Sequence, residues 1–262
     1  MARTVRGKTP ASASGRLFSV LLAMLCGLFL TAGMPAQAAT ISTVYNTGVD
    51  SSGNVLANGA DPHYSISRIY GSYYSGSWDP AGPPAPTFGE YALFSPPVAA
   101  NIVSSPVGVW VPNTTTSSWI SYADDPIGTT MFGWGVYFYQ TTFDLTGLDP
   151  ASVQISGLWG TDDVGWMYLN LADINVPDMN NLVDSGASFG ALKPFVLSGS
   201  NGLFQPGLNT LTFVVWDAGN SVTGLRVDIT SATANAVPEP GMLMLLGGGL
   251  LGLLFVKRNS LK

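Results

Sequence analysis

The feature that most constrains this chain is its C-terminal segment, in which a proline-rich joint precedes an apolar run and a basic end. The joint is Val237-Pro238-Glu239-Pro240. It cannot continue a helix or a central strand, because neither proline has an N–H group to donate. The apolar run spans Gly241 to Val256, and Lys257 and Arg258 follow it. This order predicts a helix that enters a bilayer and keeps its basic end on the cytoplasmic side.

An ordinary C-terminal membrane anchor is the alternative to a segment that is later removed. The apolar run has 16 residues and would form a helix of roughly 24 Å, which is short for a hydrocarbon core of about 30 Å. Gly247, Gly248 and Gly249 weaken that helix further, by about 1 kcal/mol each relative to alanine. A permanent anchor favours more length and fewer glycines, so these features favour a transient segment.

The C-terminal segment, residues 237–262, resembles the PEP-CTERM sorting signal of exported Gram-negative proteins. The resemblance implies that an exosortase, a membrane transpeptidase-like enzyme, recognises the tail and processes the chain near Pro-Glu-Pro. Mature surface material would then lack residues 241–262. It also implies transient insertion into the inner membrane, followed by delivery to the cell surface or the extracellular exopolysaccharide matrix.

The N-terminal end has the pattern of a secretory signal peptide. A basic region is followed by an apolar run over residues 17–32, and Ala36-Gln37-Ala38 is an A-x-A cleavage site. We expect a signal-peptide helix within residues 1–38, export through the Sec translocon, and cleavage by signal peptidase after Ala38, with Ala39 as the second choice. A transmembrane helix is the alternative. Cys26 is the only cysteine, so the mature protein would have no disulfide.

The body between these ends, residues 40–236, is strongly acidic. Its basic residues are Arg68, Lys193 and Arg226, against fifteen Asp and Glu, which gives a net charge of −12. Nucleic acid is excluded as a natural partner, because phosphate neutralisation needs Lys and Arg. The charge suits a divalent cation, or simply solubility outside the cell.

The body has the composition of an all-β domain, with β-branched and aromatic runs separated by Gly, Ser, Asn and Pro. We predict a two-sheet antiparallel sandwich or jelly roll over residues 40–236, in which the proline-rich segment 79–86 is a surface loop. The predicted strands are 134–143, 153–159, 166–171, 211–216 and 225–230.

The last predicted strand alternates strictly between apolar and polar residues. We therefore expect Leu225, Val227 and Ile229 to be buried, and Arg226 and Asp228 to point outward. Turn residues 217–221 separate this strand from the preceding one, so the two strands could form a hairpin.

The C-terminal half of the body resembles the galactose-binding-like jelly rolls of exported proteins. The resemblance covers about residues 139–231 and rests on the segments 142–145, 155–163, 168–170, 206–215 and 223–227. It implies a β-sandwich fold and says little about the ligand. One departure is that the usual Leu-Asn-Gly turn reads Leu169-Asn170-Leu171 here.

Asp162 and Asp163 are the strongest candidates for a ligand site. Adjacent carboxylates on a loop are hard oxygen ligands that suit Ca²⁺, and the nearby Trp159 and Trp166 could stack on a sugar ring. The alternative is that the two aspartates cap a turn and that the tryptophans belong to the core.

Other candidates are weaker. A cluster of aromatic residues could form a carbohydrate-binding patch or pack a loop onto the domain. The aromatic cluster consists of Tyr70, Tyr73, Tyr74 and Trp78.

Asp124 and Asp125 are typical of an ordinary turn.

Catalysis has little support in the sequence. His63 is the only histidine, and no nucleophile-elbow, zinc-protease or phosphate-loop motif occurs. Glu90 with one of the aspartates could serve a glycosidase. We expect a non-enzymatic structural or adhesive surface protein with weak glycan binding. A polysaccharide-active enzyme, glycosidase or lyase, held at the cell surface is the alternative.

Overall fold

The computed structural model describes residues 37–70, 93–94, 96–123, 135–174, 178–217, 222–237 and 247–250. The chain divides into two compact units, residues 1–37 and 38–262, and the described strands belong to the second.

Of the predicted C-terminal helix, residues 247–250 are helical. Among the described residues, no helix has the length and apolar character needed to cross a membrane. Several predicted features lie outside the described residues, namely Ala36 with the rest of the signal peptide, Tyr73, Tyr74, Trp78, the loop 79–86, Glu90, Asp124, Asp125, Pro238, Glu239, Pro240, Lys257 and Arg258.

The described body is built from β-strands, which confirms the all-β prediction. The helical segments of the described body are single 3₁₀ turns at Pro150–Ser152, Met179–Asn181 and Gly199–Asn201. The strands are β1 (Ala38–Thr40), β2 (Ala60–Tyr70), β3 (Leu93–Phe94), β4 (Val98–Ile102), β5 (Ile120–Ser121), β6 (Gly135–Asp144), β7 (Gln154–Asp162), β8 (Val164–Leu169), β9 (Leu182–Ser185), β10 (Lys193–Ser198), β11 (Leu208–Asp217) and β12 (Gly224–Asn235).

The described strands form one antiparallel sheet rather than the two separate sheets that we predicted. Its order is β10-β7-β12-β5-β4-β2-β6-β11-β8-β9, with β1 paired to β12 and β3 paired to β2. The short strands β4 and β5 join the two halves. The sheet curls round a single main core, in which Trp159 of β7 lies 5.9 Å from Phe213 of β11 between ring centroids.

The predicted hairpin between the last two long strands is wrong. β11 pairs with β6 and β8, whereas β12 pairs with β7, β5 and β1. The chain therefore passes from one half of the curled sheet to the other between the end of β11 and the start of β12. A local sequence pattern indicates a change of direction, but it does not specify which strand will be the neighbour.

The burial pattern of β12 agrees with the prediction on one face and corrects it on the other. Leu225 and Val227 are fully buried, and Ile229 is half-buried against the core, just before a shift of register in the pairing with β7. Arg226 was expected to point outward, yet only 1% of it is exposed. Its side chain leaves the opposite face of the strand, but that face is covered by the segment 110–119.

The guanidinium of Arg226 holds that covering segment in place. It donates hydrogen bonds to Ser117 Oγ at 2.9 Å, to Thr114 Oγ1 at 2.9 Å and to the carbonyl oxygen of Pro112. Burial lowers the pKa of Arg226. Asp228, also predicted to point outward, is partly buried and accepts a hydrogen bond from Thr116 Oγ1 at 2.9 Å. The polar face of β12 therefore binds a loop instead of facing solvent.

Candidate functional site

Asp162 and Asp163 lie where the chain passes from one half of the curled sheet to the other. Asp162 is the last residue of β7, and Asp163 is the single residue before β8 begins at Val164. The backbone N–H of Asp163 donates to the carbonyl oxygen of Trp216 at 3.2 Å. The aspartates are therefore at a junction between strands, as predicted, although the connection is a single residue.

Asp162 is buried, with 4% of the residue exposed, and its carboxylate has a specific partner. Trp110 Nε1 donates to Asp162 Oδ2 at 2.7 Å, and Thr223 Oγ1 donates to the Asp162 carbonyl oxygen at 3.0 Å. Burial raises the pKa of Asp162 to about 8, with help from a hydrogen bond with the Asp163 side chain and from the charge of Asp217. Asp162 can therefore hold a proton near neutral pH.

A glycine on the neighbouring strand makes room for the Trp110 contact. Gly224 of β12 pairs with Asp162, and a Cβ atom on Gly224 would lie 2.6 Å from the Trp110 ring. Trp110 in turn packs against Trp119, with 4.5 Å between ring centroids. Sequence reasoning missed Trp110 because 52 residues separate it from Asp162 along the chain. It also assigned Asp217 to turn chemistry alone.

The two tryptophans that were predicted to stack on a sugar are core residues, which is a correction. Trp159 and Trp166 are both fully buried, so neither ring presents a face to a ligand. Trp159 Nε1 donates to Asp184 Oδ2 at 2.9 Å, and Asp184 forms an ion pair with Lys193 at 2.5 Å. Alternation places Trp159 in the main core inside the curled sheet. It places Trp166 in a second apolar cluster on the opposite face of β8, with Phe138 and Val214.

The described residues contain no group of three or more His, Cys, Asp or Glu side chains positioned to hold a metal ion. Calcium at the Asp162–Asp163 pair would therefore need backbone carbonyls or water to complete its coordination. The calcium site stays a prediction.

A second polar region surrounds Asp61 and His63 at the start of β2. The buried carboxylate of Asp61 accepts hydrogen bonds from the backbone N–H groups of Gly48, His63 and Tyr64, at 2.7, 2.8 and 3.1 Å respectively. Burial raises the pKa of Asp61, while these three hydrogen bonds oppose the rise. The His63 ring stacks on Tyr45, with 3.6 Å between centroids. Asp61 therefore stabilises the local backbone through these three hydrogen bonds.

A cleft of about 500 Å³ lies beside this turn, between β2, β4, β6 and β11. Asp61 is the only carboxylate among its described lining residues. The polar residues that line the cleft are Asp61, His63, Ser65, Gln140, Thr141, Thr142 and Thr210.

The end of β12 is held by hydrogen bonds up to the residue before the proline-rich joint. β1 pairs with it in the register Ala38 to Asn235, Ala39 to Ala234 and Thr40 to Thr233.

The turn after β6 also forms hydrogen bonds with the end of β12. Val237 N donates to the Gly147 carbonyl oxygen and Asp149 N to the Asn235 carbonyl oxygen, both at 2.8 Å. Asn235 N donates to Ser152 Oγ at 2.7 Å, and Leu148 forms an isolated bridge with Ala236.

We call the set of paired residues 38–40, 147–152 and 233–237 the terminal ladder. Gly147 lies in its turn with φ of +76°, a conformation that favours glycine. The predicted signal-peptidase residue Ala38 and the predicted sorting residue Val237 are both in this ladder. The two predicted processing sites therefore border the same part of the sheet.

Comparison with known protein families matches residues 236–258 to the PEP-CTERM protein-sorting motif. This match indicates an exported protein that is sorted and processed by an exosortase, in agreement with the sequence-based prediction. No curated protein and no solved structure matches the chain. The galactose-binding-like resemblance of the body thus has no support from these comparisons.

Proposed function

We propose that this protein is a non-enzymatic structural or adhesive component of the Gram-negative cell surface or exopolysaccharide matrix. The observation that carries the proposal is the PEP-CTERM motif, which directly follows the last strand of a folded acidic body. Transient insertion of the tail into the inner membrane, and passage through the Sec translocon and signal peptidase, belong to the same proposal.

We further propose weak binding of a neutral glycan in the cleft beside Asp61. Its lining offers hydroxyl and amide groups from Thr142, Thr210 and Gln140, which suit the hydroxyls of a sugar. The carboxylate in the lining, Asp61, already accepts three backbone hydrogen bonds, so it is poorly placed for acid–base chemistry.

The sorting part of the proposal is tested by expressing the full chain in a host with its matching exosortase and in a deletion strain. Cells are fractionated, and both termini of the protein are read by mass spectrometry. We expect surface material that begins at residue 39 or 40 and lacks residues 241–262. Full-length chain held stably in the inner membrane of the exosortase-positive host would contradict it.

The glycan part is tested by sedimentation of the soluble body, residues 39–237, with polysaccharide purified from the same host. Thr142→Val/Thr210→Val removes two hydroxyls from the cleft and should reduce the bound fraction several-fold. Thr115→Val is the control, because Thr115 is exposed and lies outside the described cleft lining. Equal binding by all three proteins would reject the cleft, and release of new reducing ends would favour the enzyme instead.

A further inference from the structure

The PEP-CTERM motif begins where the folded sheet ends, since β12 ends at Asn235 and the motif match starts at residue 236. Val237 still donates a backbone hydrogen bond to Gly147, and the apolar run begins at Gly241. Four Cα–Cα steps separate Val237 from Gly241, so the two residues can be at most about 14 Å apart. While the apolar run is in the membrane, the folded body is therefore held very close to the membrane surface.

We propose that the terminal ladder gates tail processing, so that the exosortase cuts the chain only after the end of β12 has left the ladder. This inference rests on the proposed function, because it takes the tail to be an exosortase substrate. It adds a step that the motif alone does not contain, which is local unfolding of residues 235–237 before the cut.

The pairing of β12 explains why opening is needed. A protease acts on a chain whose backbone is exposed and free of other hydrogen bonds. Both backbone groups of Asn235 are occupied, the N–H by Ser152 Oγ and the carbonyl by Asp149 N, and Val237 N is bound by Gly147. Thr233, two residues before Asn235, is also paired with Thr40 of β1, which stays in the chain after signal cleavage. The residues just before the joint are thus unavailable while the ladder is closed.

Opening the ladder does not require unfolding the core. Ala236 and Val237 are exposed, and β1 contributes only three residues to the pairing. Strand ends of this kind open more readily than the centre of a sheet. When opening and closing are fast compared with the cut, the rate of processing follows the fraction of open molecules.

The first test inserts a flexible Gly-Ser spacer of eight residues between Val237 and Pro238 in the full chain. Processing is followed by pulse-chase in the exosortase-positive host and in the deletion strain. We expect the spacer to accelerate exosortase-dependent processing by about tenfold. The same spacer between Ser52 and Gly53, in an exposed turn, is the control and should leave the rate unchanged.

The second test changes the ladder itself. Ser152→Ala removes the acceptor for Asn235 N and should raise the rate about two- to tenfold. Thr40→Cys/Thr233→Cys places a disulfide across a directly opposed pair and should slow processing several-fold until it is reduced. In the chain that carries the spacer at Val237, neither change should alter the rate, because the cut no longer depends on the ladder.

The outcomes separate the gate from the proposed function. Processing that depends on the exosortase but is unaffected by the spacer, by Ser152→Ala and by the disulfide would overturn the gate and leave the sorting function standing. The absence of any exosortase-dependent cut, even in the chain with the spacer, would overturn both.

Discussion

Two buried aspartates, Asp61 at the start of β2 and Asp162 at the end of β7, show how differently one residue type is used in this fold. Both are almost fully buried, with 1% and 4% of the residue exposed. Asp61 accepts three backbone N–H groups, whereas the Asp162 carboxylate accepts one indole N–H and lies beside Asp163.

The neighbours of a buried carboxyl, rather than its burial, therefore decide its role. Burial raises the pKa in both cases. At Asp61 the backbone donors stabilise the charged form and oppose the rise. At Asp162 the neighbouring carboxyl adds to it. Asp61 therefore organises backbone, while Asp162 is a group that changes its charge near neutral pH.

Removal of Asp61 should have the largest effect on stability. Asp61→Ala leaves the backbone N–H groups of Gly48, His63 and Tyr64 without their acceptor. We expect the free energy of unfolding to fall by about 2–4 kcal/mol. Urea denaturation of the body measures it. Asp50→Ala, in an exposed turn with similar hydrogen bonds to Ser52 and Asn54, is the control and should cost much less. Equal losses would show that the burial of Asp61 does not matter.

The pH dependence of stability should come next in size. The folded pKa of Asp162 is raised to about 8, so between its unfolded value and pH 8 the folded state holds a proton that the unfolded state has released. The contribution of Asp162 to stability is therefore fully present at low pH and is lost as pH rises towards 8, by up to about 1.4 kcal/mol per pH unit. Over pH 5 to 8 we expect a loss of about 2 kcal/mol or more.

The variant Asp162→Asn assigns that pH dependence. Asparagine imitates the protonated acid and cannot ionise, so urea denaturation should show a flatter pH profile and a more stable protein at pH 8. A profile as steep as that of the wild-type body would assign the proton to another group.

The hydrogen bond from the Trp110 indole to Asp162 should contribute less to stability than the titration of Asp162. Trp110→Phe keeps most of the packing against Trp119 and Gly224 but removes the hydrogen bond to Asp162 Oδ2. We expect a loss of about 1 kcal/mol at pH 8 and a smaller one at pH 5, because the indole N–H favours the ionised carboxylate. Thermal melts at the two pH values measure it, and a loss that does not depend on pH would point to packing alone.

Calcium should give the smallest effect. We propose that the Asp162–Asp163 pair binds Ca²⁺ weakly at pH 8 and above, where Asp162 is ionised and a cation removes the repulsion between the two carboxylates. At a calcium concentration equal to the dissociation constant, stabilisation is about 0.4 kcal/mol. Melts with calcium and with EDTA should show a small rise in Tm that Asp162→Asn/Asp163→Asn abolishes. An unchanged wild-type Tm would reduce the pair to structural residues.

The local patterns of the sequence predicted the strands well. The alternation in residues 225–230 gave the core face of β12, with Leu225 and Val227 buried. The predicted strands at 211–216 and 153–159 lie within β11 and β7. The V-P-E-P joint and the run after it were enough to predict the sorting signal, because that information is contiguous in the chain.

Tertiary structure decided what the strands face and which strands are neighbours. Arg226 is buried because the segment 110–119 covers its face of β12, and Trp110 reaches Asp162 because Gly224 leaves room. The pairing of β1 with the end of β12 joins residues almost 200 positions apart. Periodicity determines which side chains share a face of a strand, since it is a property of the local backbone. It does not determine the cover or the partner, because those depend on contacts between segments that are distant along the chain.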